Sequence, residues 1–191
     1  ECLQQWGDGI IALSAGTRGT LGILVAQLAA QGRSCATKID LAKLDREDPV
    51  VQALESHIAD MRQWFGAGNY YVELIDNGLH EQKNLNPLLV AAASHFGLPL
   101  VASCNAHYLH AEDAEAHTIL LGAKNELTMP DMRDRARGLR FHLLNNDEML
   151  QTFAAWPEAL ANTKTIAAQC NVAIEMGKYY LPKFPLDLGE T

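Results

Sequence analysis

Long apolar runs are missing from this sequence. None approaches the ~20 residues that a helix needs to cross a bilayer, and no stretch has the layout of a secretory signal. A membrane span is therefore excluded, and the expectation is a cytoplasmic protein. Cysteine is sparse too. Cys2, Cys35, Cys104 and Cys170 stand far apart with no C-x-x-C pair, which reads as reduced thiols, not a disulfide framework. Positive charge is in deficit, with 15 Lys and Arg against 23 Asp and Glu and a formal net charge of −8. That balance argues against broad electrostatic attraction to nucleic acid or to anionic lipid. The glycine-containing loop 14–19 lacks the Lys-Ser/Thr ending of a phosphate-cradling loop. The first residue is Glu1 instead of Met, so the expectation is a fragment or a processed chain.

What is present suits one ordinary domain or part of a larger one: 191 residues, 48% of them hydrophobic. Residues 9–13 (GIIAL) read as a short buried strand, followed by the loop 14–19. Residues 20–31 place Leu21, Leu24, Val25 and Leu28 on one helical face, with Gly32 positioned to stop the helix. Residues 34–48 are mixed and charged, a surface connection. Asp48-Pro49 opens a helix with Val51, Leu54, Ile58, Met61 and Phe65 inward, and His57 beside that face as a packing histidine. Residues 70–75 (YYVELI) read as a strand. Glu73 inside it implies a solvated pleat face or an arginine partner; the alternative is a barrel interior near a site. A helix over 81–96 follows, with Pro87 kinking it or resetting its start and Gly97 ending it. Strand, helix and strand with short joints form a βαβ unit, so these strands should be parallel.

The chain is organised around residues 98–117, LPLVASCNAHYLHAEDAEAH. An apolar strand ends in Ser103-Cys104-Asn105, and His107, Tyr108, His110, Asp113, Glu115 and His117 follow. α/β proteins build sites at this end of their strands, so a metal or a phosphoryl group is the first suspect. His110, Asp113 and His117 are spaced to share one helical face, either as a metal patch or as a polar face with a capping acid. Residues 124–140 read as a loop-like linker of alternating charge. Asn146-Asp147 should cap a helix holding Met149, Leu150 and Phe153, and Pro157 should start another. Residues 177–191 read as an extended arm.

Several runs, in order, resemble one family. GIIALSAGTRG (9–19), YYVELIDNGLHEQ (70–82), LPLVASCNAHYL (98–109), PEALANT (157–163), Cys170-Asn171-Val172 and GKYYLPKFP (177–185) are similar to the PHP (polymerase and histidinol phosphatase) domain of bacterial replicative DNA polymerase III alpha subunits. The resemblance implies an α/β fold that is part of a distorted (β/α) barrel. Residues 1–150 would be the C-terminal part of the PHP domain, and 151–191 a helical connection and arm leading to the polymerase palm. It implies a parent DNA-directed DNA polymerase that uses Mg. Its partners would be DNA, dNTPs, the proofreading exonuclease subunit and other replisome subunits, with no membrane.

The departures from the family pattern bear on chemistry. The family's first metal ligands would lie upstream of Glu1. Its loop cysteine falls on Gly16, and the Asp of its Asp-x-His segment falls on Asn105, so only His107 is retained from the ligands expected here. The expected residual metal site is therefore His107 with Asn105, too poor in charge to hold Zn or Mn well. No catalytic or cofactor-binding residue is expected within the chain. The competing expectation is a metal-dependent phosphoesterase or 3′–5′ proofreading exonuclease, whose metals would generate hydroxide and stabilise displacement at phosphorus. An isolated piece of a barrel would leave strand edges uncovered, so self-association or marginal stability is expected.

Overall fold

The strand expected at 70–75 is the middle of a three-stranded parallel sheet, in the order β1 (Ala12–Leu13), β2 (Tyr70–Ile75), β3 (Leu100–Ser103). The register sets Ala12 against Tyr70 and Val72 against Leu100. This is a computed structural model describing residues 2–33, 45–125, 128–179 and 181. The charged connection at 34–44, Cys35 and the arm beyond 181 lie outside the described residues. β2 buries Tyr70, Tyr71, Val72 and Leu74, so apolar side chains on both of its faces are covered, as in a central parallel strand. The sheet is not closed into a barrel; among the described residues it is a small open parallel sheet.

The helices are α1 (Cys2–Trp6), α2 (Thr20–Leu28), α3 (Pro49–Phe65), α4 (His80–Phe96), α5 (Ala114–Asn125), α6 (Met129–Ala136), α7 (Asn146–Thr152) and α8 (Pro157–Gln169). Leu21, Val25 and Leu28 of α2, Leu54 and Ile58 of α3, and Leu88 and Leu89 of α4 form one core with Tyr70, Val72 and Leu74. Asp48 caps α3 by accepting from the Val50 N–H at 2.7 Å. His57 is a packing histidine: its Nε2 lies 3.2 Å from the Tyr70 hydroxyl. The βαβ unit is β2–α4–β3. α4 ends on Gly97, whose φ of +61° frees the Leu98 N–H to reach the Ala93 carbonyl at 2.8 Å.

Several sequence expectations need correction. Pro87 does not reset the start of α4, which begins at His80. The missing N–H costs one helical bond, and burial of Leu85, Leu88, Leu89 and Ala92 offsets it. α2 ends at Leu28 and runs on as a π-type turn over Ala29–Arg33, so Gly32 lies inside that turn. Residues 124–140 are not all loop. α6 forms there because Thr128 caps it, accepting from the Asp131 N–H, with proline in the first turn and Met132 buried. The cap of α7 is Asn145, one residue earlier than expected. Asn145 and Glu148 exchange side-chain-to-backbone bonds at 3.0 and 2.9 Å. Leu150 is exposed and Phe153 fully buried.

β3 is an edge of the sheet, and α8 covers it. Asn162 of α8 donates its Nδ2 to the Leu100 carbonyl at 2.7 Å, satisfying an edge group that would otherwise invite another strand. Among the described residues, no helix is long and apolar enough to cross a membrane.

Candidate functional site

The loops that follow the strands at their carboxyl ends meet at one rim. After β1, Ser14 is buried and its Oγ accepts from the Glu73 N–H at 2.9 Å, tying the first loop to β2. Ala15 (φ +59°) and Gly16 (φ +53°) are both left-handed, and a Cβ at 16 would lie 3.0 Å from Ile75 Cδ1. Glu73 is partly exposed, and the partner it has in the sheet is a hydroxyl and not an arginine: it accepts from the Ser103 hydroxyl of β3 at 2.5 Å. The first loop, β2 and β3 are thus joined by the side chains of Ser14, Glu73 and Ser103.

After β2, Asn77 is the hub. It is 1% exposed. Its Nδ2 donates to the Arg140 carbonyl at 2.6 Å and to the Asn105 carbonyl at 3.3 Å. Its Oδ1 accepts from Gln82 Nε2 at 3.3 Å, and its N–H donates to Gln82 Oε1 at 2.7 Å. Three chain segments, around residues 77, 105 and 140, are thereby fixed by one amide.

After β3, the His107 N–H donates to the Phe141 carbonyl at 2.7 Å, and the Leu143 N–H returns a bond to the Tyr108 carbonyl at 3.0 Å. Residues 139–143 form a strap across the rim. The His107 ring lies against Phe141, centroids 4.9 Å apart, and its Nδ1 is 3.3 Å from His117 Nε2 on α5. Burial, and secondarily the neighbouring His107, hold His117 below the usual imidazole range. A cleft of about 500 Å³ opens here, lined by Arg18, Leu79, Tyr108, His117, Thr118 and Phe141 among others.

The structure brings His107 and His117 together and leaves His110 apart. The His110 N–H donates to Asp113 Oδ2 at 3.2 Å, so that carboxylate serves as a local cap. The Asn105 side chain is exposed, and its backbone carbonyl is what the rim uses. Among the described residues, the donors gathered here fall short of a complete set for a metal. Zinc takes four ligands, whereas His107 and His117 supply two nitrogens, Asn105 is uncharged and Gly16 faces Ile75. Among the described residues, no three His, Cys, Asp or Glu side chains are grouped to hold an ion.

Two elements of the rim escaped the sequence reading. One is Asn77, and the other is the strap, which lies at the end of the stretch read as a linker. The alternation Leu139-Arg140-Phe141-His142-Leu143 is the signal that would have found an extended segment. His142 also faces α7: its Nε2 is 3.0 Å from Glu148 Oε1. The Asn145 backbone N–H first, then His142, hold the Glu148 carboxyl below its ordinary range.

No family model matches the chain. Whole-chain similarity to known proteins is nevertheless clear. The DNA polymerase III alpha subunit of Treponema pallidum is 34% identical over 188 residues, covering 97% of this chain and 14% of the relative. That of Deinococcus radiodurans is 35% identical over 198 residues, covering 100% and 13%. That of Escherichia coli K12 is 31% identical over 186 residues, covering 97% and 14%. The chain thus spans only about a seventh of the length of the curated relatives it matches. Over nearly all of its own length, the chain is similar to one segment of bacterial DNA polymerase III alpha subunits.

Proposed function

We propose that this chain serves as a non-catalytic PHP portion of a replicative DNA polymerase, a scaffold supporting template-directed DNA synthesis carried out elsewhere in the polypeptide. The observation that carries the reading is the chemistry of the rim. Gly16 and Asn105 stand where a thiolate and a carboxylate would strengthen a metal site, and His107 is engaged by His117 instead. Similarity to the alpha subunits over nearly the whole chain supports the polymerase assignment. In this reading the small parallel sheet is part of a distorted (β/α) barrel completed by further strands, and its open β1 edge, with Ile10 and Leu13 half exposed, is where they would add. Residues 151–191 form the connection to a palm that holds the Mg-binding carboxylates. DNA and dNTPs are engaged through the parent protein, in the cytoplasm. The proofreading exonuclease subunit and other replisome subunits dock on the assembled protein.

The test is metal analysis with paired DNA-synthesis and phosphoesterase assays on the full-length polypeptide and its His107→Ala variant. The expected result is polymerase activity in both proteins, with no stoichiometric zinc or manganese attributable to His107 and no phosphoesterase activity. Stoichiometric metal together with a nuclease activity lost in His107→Ala would overturn the reading in favour of an active proofreading domain.

A further inference from the structure

Asn77 precedes Gly78, the only Asn–Gly pair in the sequence. In an unfolded chain this pair is the most prone to cyclise, because glycine puts no side chain in the way of its own backbone nitrogen. The fold nevertheless requires both residues. Gly78 has φ +89°, and a Cβ there would lie 2.5 Å from the Gly138 carbonyl oxygen. Asn77 must donate to two carbonyls, those of Arg140 and Asn105, while accepting from Gln82. The labile pair is dictated by the structure that surrounds it.

We infer that Asn77–Gly78 is a modification site gated by the fold: the amide converts to aspartate or isoaspartate when the 139–143 strap leaves the β2 loop, and is spared while the strap is seated. The backbone nitrogen of Gly78, after losing its proton, attacks Asn77 Cγ and forms a new N–C bond. The Cγ–Nδ2 bond breaks, and ammonia departs with the proton. Water then opens the succinimide at either carbonyl. One water enters, one ammonia leaves, and nothing is oxidised or reduced.

Three features of the closed rim oppose this. The Gly78 N–H donates to Asp76 Oδ1 at 2.8 Å, and the adjacent carboxylate disfavours loss of that proton. Attack makes Cγ tetrahedral, which strips the planar amide of its partners at Arg140, Asn105 and Gln82. Water is also excluded from a side chain that is 1% exposed. Once formed, a carboxylate at 77 would face the Arg140 and Asn105 carbonyl oxygens with nothing to donate. The strap could not reseat, so the change runs one way and records each prolonged opening.

The experiment incubates the full-length polypeptide in mildly alkaline buffer at physiological temperature, native and in urea, and follows the peptide containing Asn77 by mass spectrometry and isoaspartate methylation. Conversion should be at least about thirtyfold slower in the native protein than in urea, the protection expected of a locally cooperative unit. Native Gln82→Ala and Asp76→Ala, each removing one restraint, should convert several-fold faster than wild type; two variants are used in case one fails to fold. Asn77→Asp should accelerate hydrogen exchange over 139–143. Equal rates in the native state and in urea would overturn the gate. So would an inert Asn77 in urea, wild-type rates in both folded variants, or unchanged exchange in Asn77→Asp. None of these readouts depends on polymerase activity, so failure here is distinguishable from failure of the proposed function.

Discussion

The side-chain amide of Asn77 donates to the backbone carbonyl of Arg140 at 2.6 Å, joining the loop after β2 to a segment 63 residues away. A buried side-chain amide with three bonds, to Arg140, Asn105 and Gln82, is costly to remove, because each abandoned partner keeps its desolvation penalty. Asn77→Ala should lower unfolding stability by about 3 kcal/mol. Gln82→Ala should cost less, about 1–2 kcal/mol, because its partners are confined to Asn77. The double variant should lose less than the sum, since both changes break the same pair. Urea unfolding of the four proteins measures this, and strict additivity would show that Asn77 and Gln82 do not act together.

The His57–Tyr70 contact predicts loss of stability at both ends of the pH range. Burial holds His57 below its ordinary 6.5, against a weaker opposing pull from Asp60. The unfolded chain therefore takes up a proton first as pH falls through 6.5, and the contribution present above that value is lost below it. Tyr70 is pushed up by burial from 10.0 to about 12. Its contribution is intact below 10 and declines as pH rises toward 12, because the unfolded phenol ionises first. His57→Phe should flatten the acid limb alone and Tyr70→Phe the alkaline limb alone, read as unfolding midpoints across pH.

Glu148 gives a third, local pH dependence. The Asn145 backbone N–H and the His142 ring hold its carboxyl below 4.5, so its stabilising effect is present above 4.5 and disappears as pH falls through the lowered value. The protection of the first-turn amides of α7, taken relative to their intrinsic exchange rates at each pH, should fall in acid. Glu148→Gln should already show reduced protection at neutral pH and little further loss in acid.

Much of the architecture was readable because period and punctuation agreed. Tyr70–Ile75 is a strand of β-formers, Asp48-Pro49 both caps and opens α3, and Gly97 supplies the left-handed residue that ends α4. The misreadings arose where short-range signals were outweighed by contacts distant in sequence. Arg133, Asp134 and Arg137 suggested a solvated linker, yet a buried Met132 and a Thr128 cap make α6 a helix with a charged outer face. In the rim, His107 was legible from its position after a strand. Its pairing with His117 was not, because spacing along α5 pointed to His110 and Asp113 instead. The role of Asn77 depends on Arg140 and Asn105, which no local pattern connects to it.

Asn162 predicts how the edge of the sheet behaves. Its donation to the Leu100 carbonyl is one bond, but it caps an edge strand whose neighbours Leu98, Leu100 and Val101 are buried and apolar. Asn162→Ala should cost about 1–2 kcal/mol. It should also raise self-association of the isolated 191-residue chain, because an exposed carbonyl row templates pairing. Sedimentation at several concentrations reads the second effect; a variant that is destabilised yet no more associated would locate the aggregation-prone edge at β1.

Gly16 and Asn105 make the sharpest prediction about metal, since they separate charge from geometry. Asn105→Asp adds a carboxylate at an exposed side chain without touching the backbone carbonyl that Asn77 uses, so the fold should be unaffected. Zinc affinity should rise, because a charged oxygen joins the two imidazoles, yet remain below that of a four-ligand site. Gly16→Cys is different. At φ +53°, with Ile75 Cδ1 3.0 Å from the new Cβ, the added thiol comes with backbone strain, and stability should fall by about 1–2 kcal/mol. Ile75→Val in the same chain should recover part of that loss by clearing the δ-methyl group. Equilibrium dialysis with zinc, run beside urea unfolding, distinguishes the two positions. If Gly16→Cys alone created a tight site at no cost in stability, the rim would be adaptable enough to rebuild a metal centre, and the absence of ligand charge would no longer explain why His107 turns to His117.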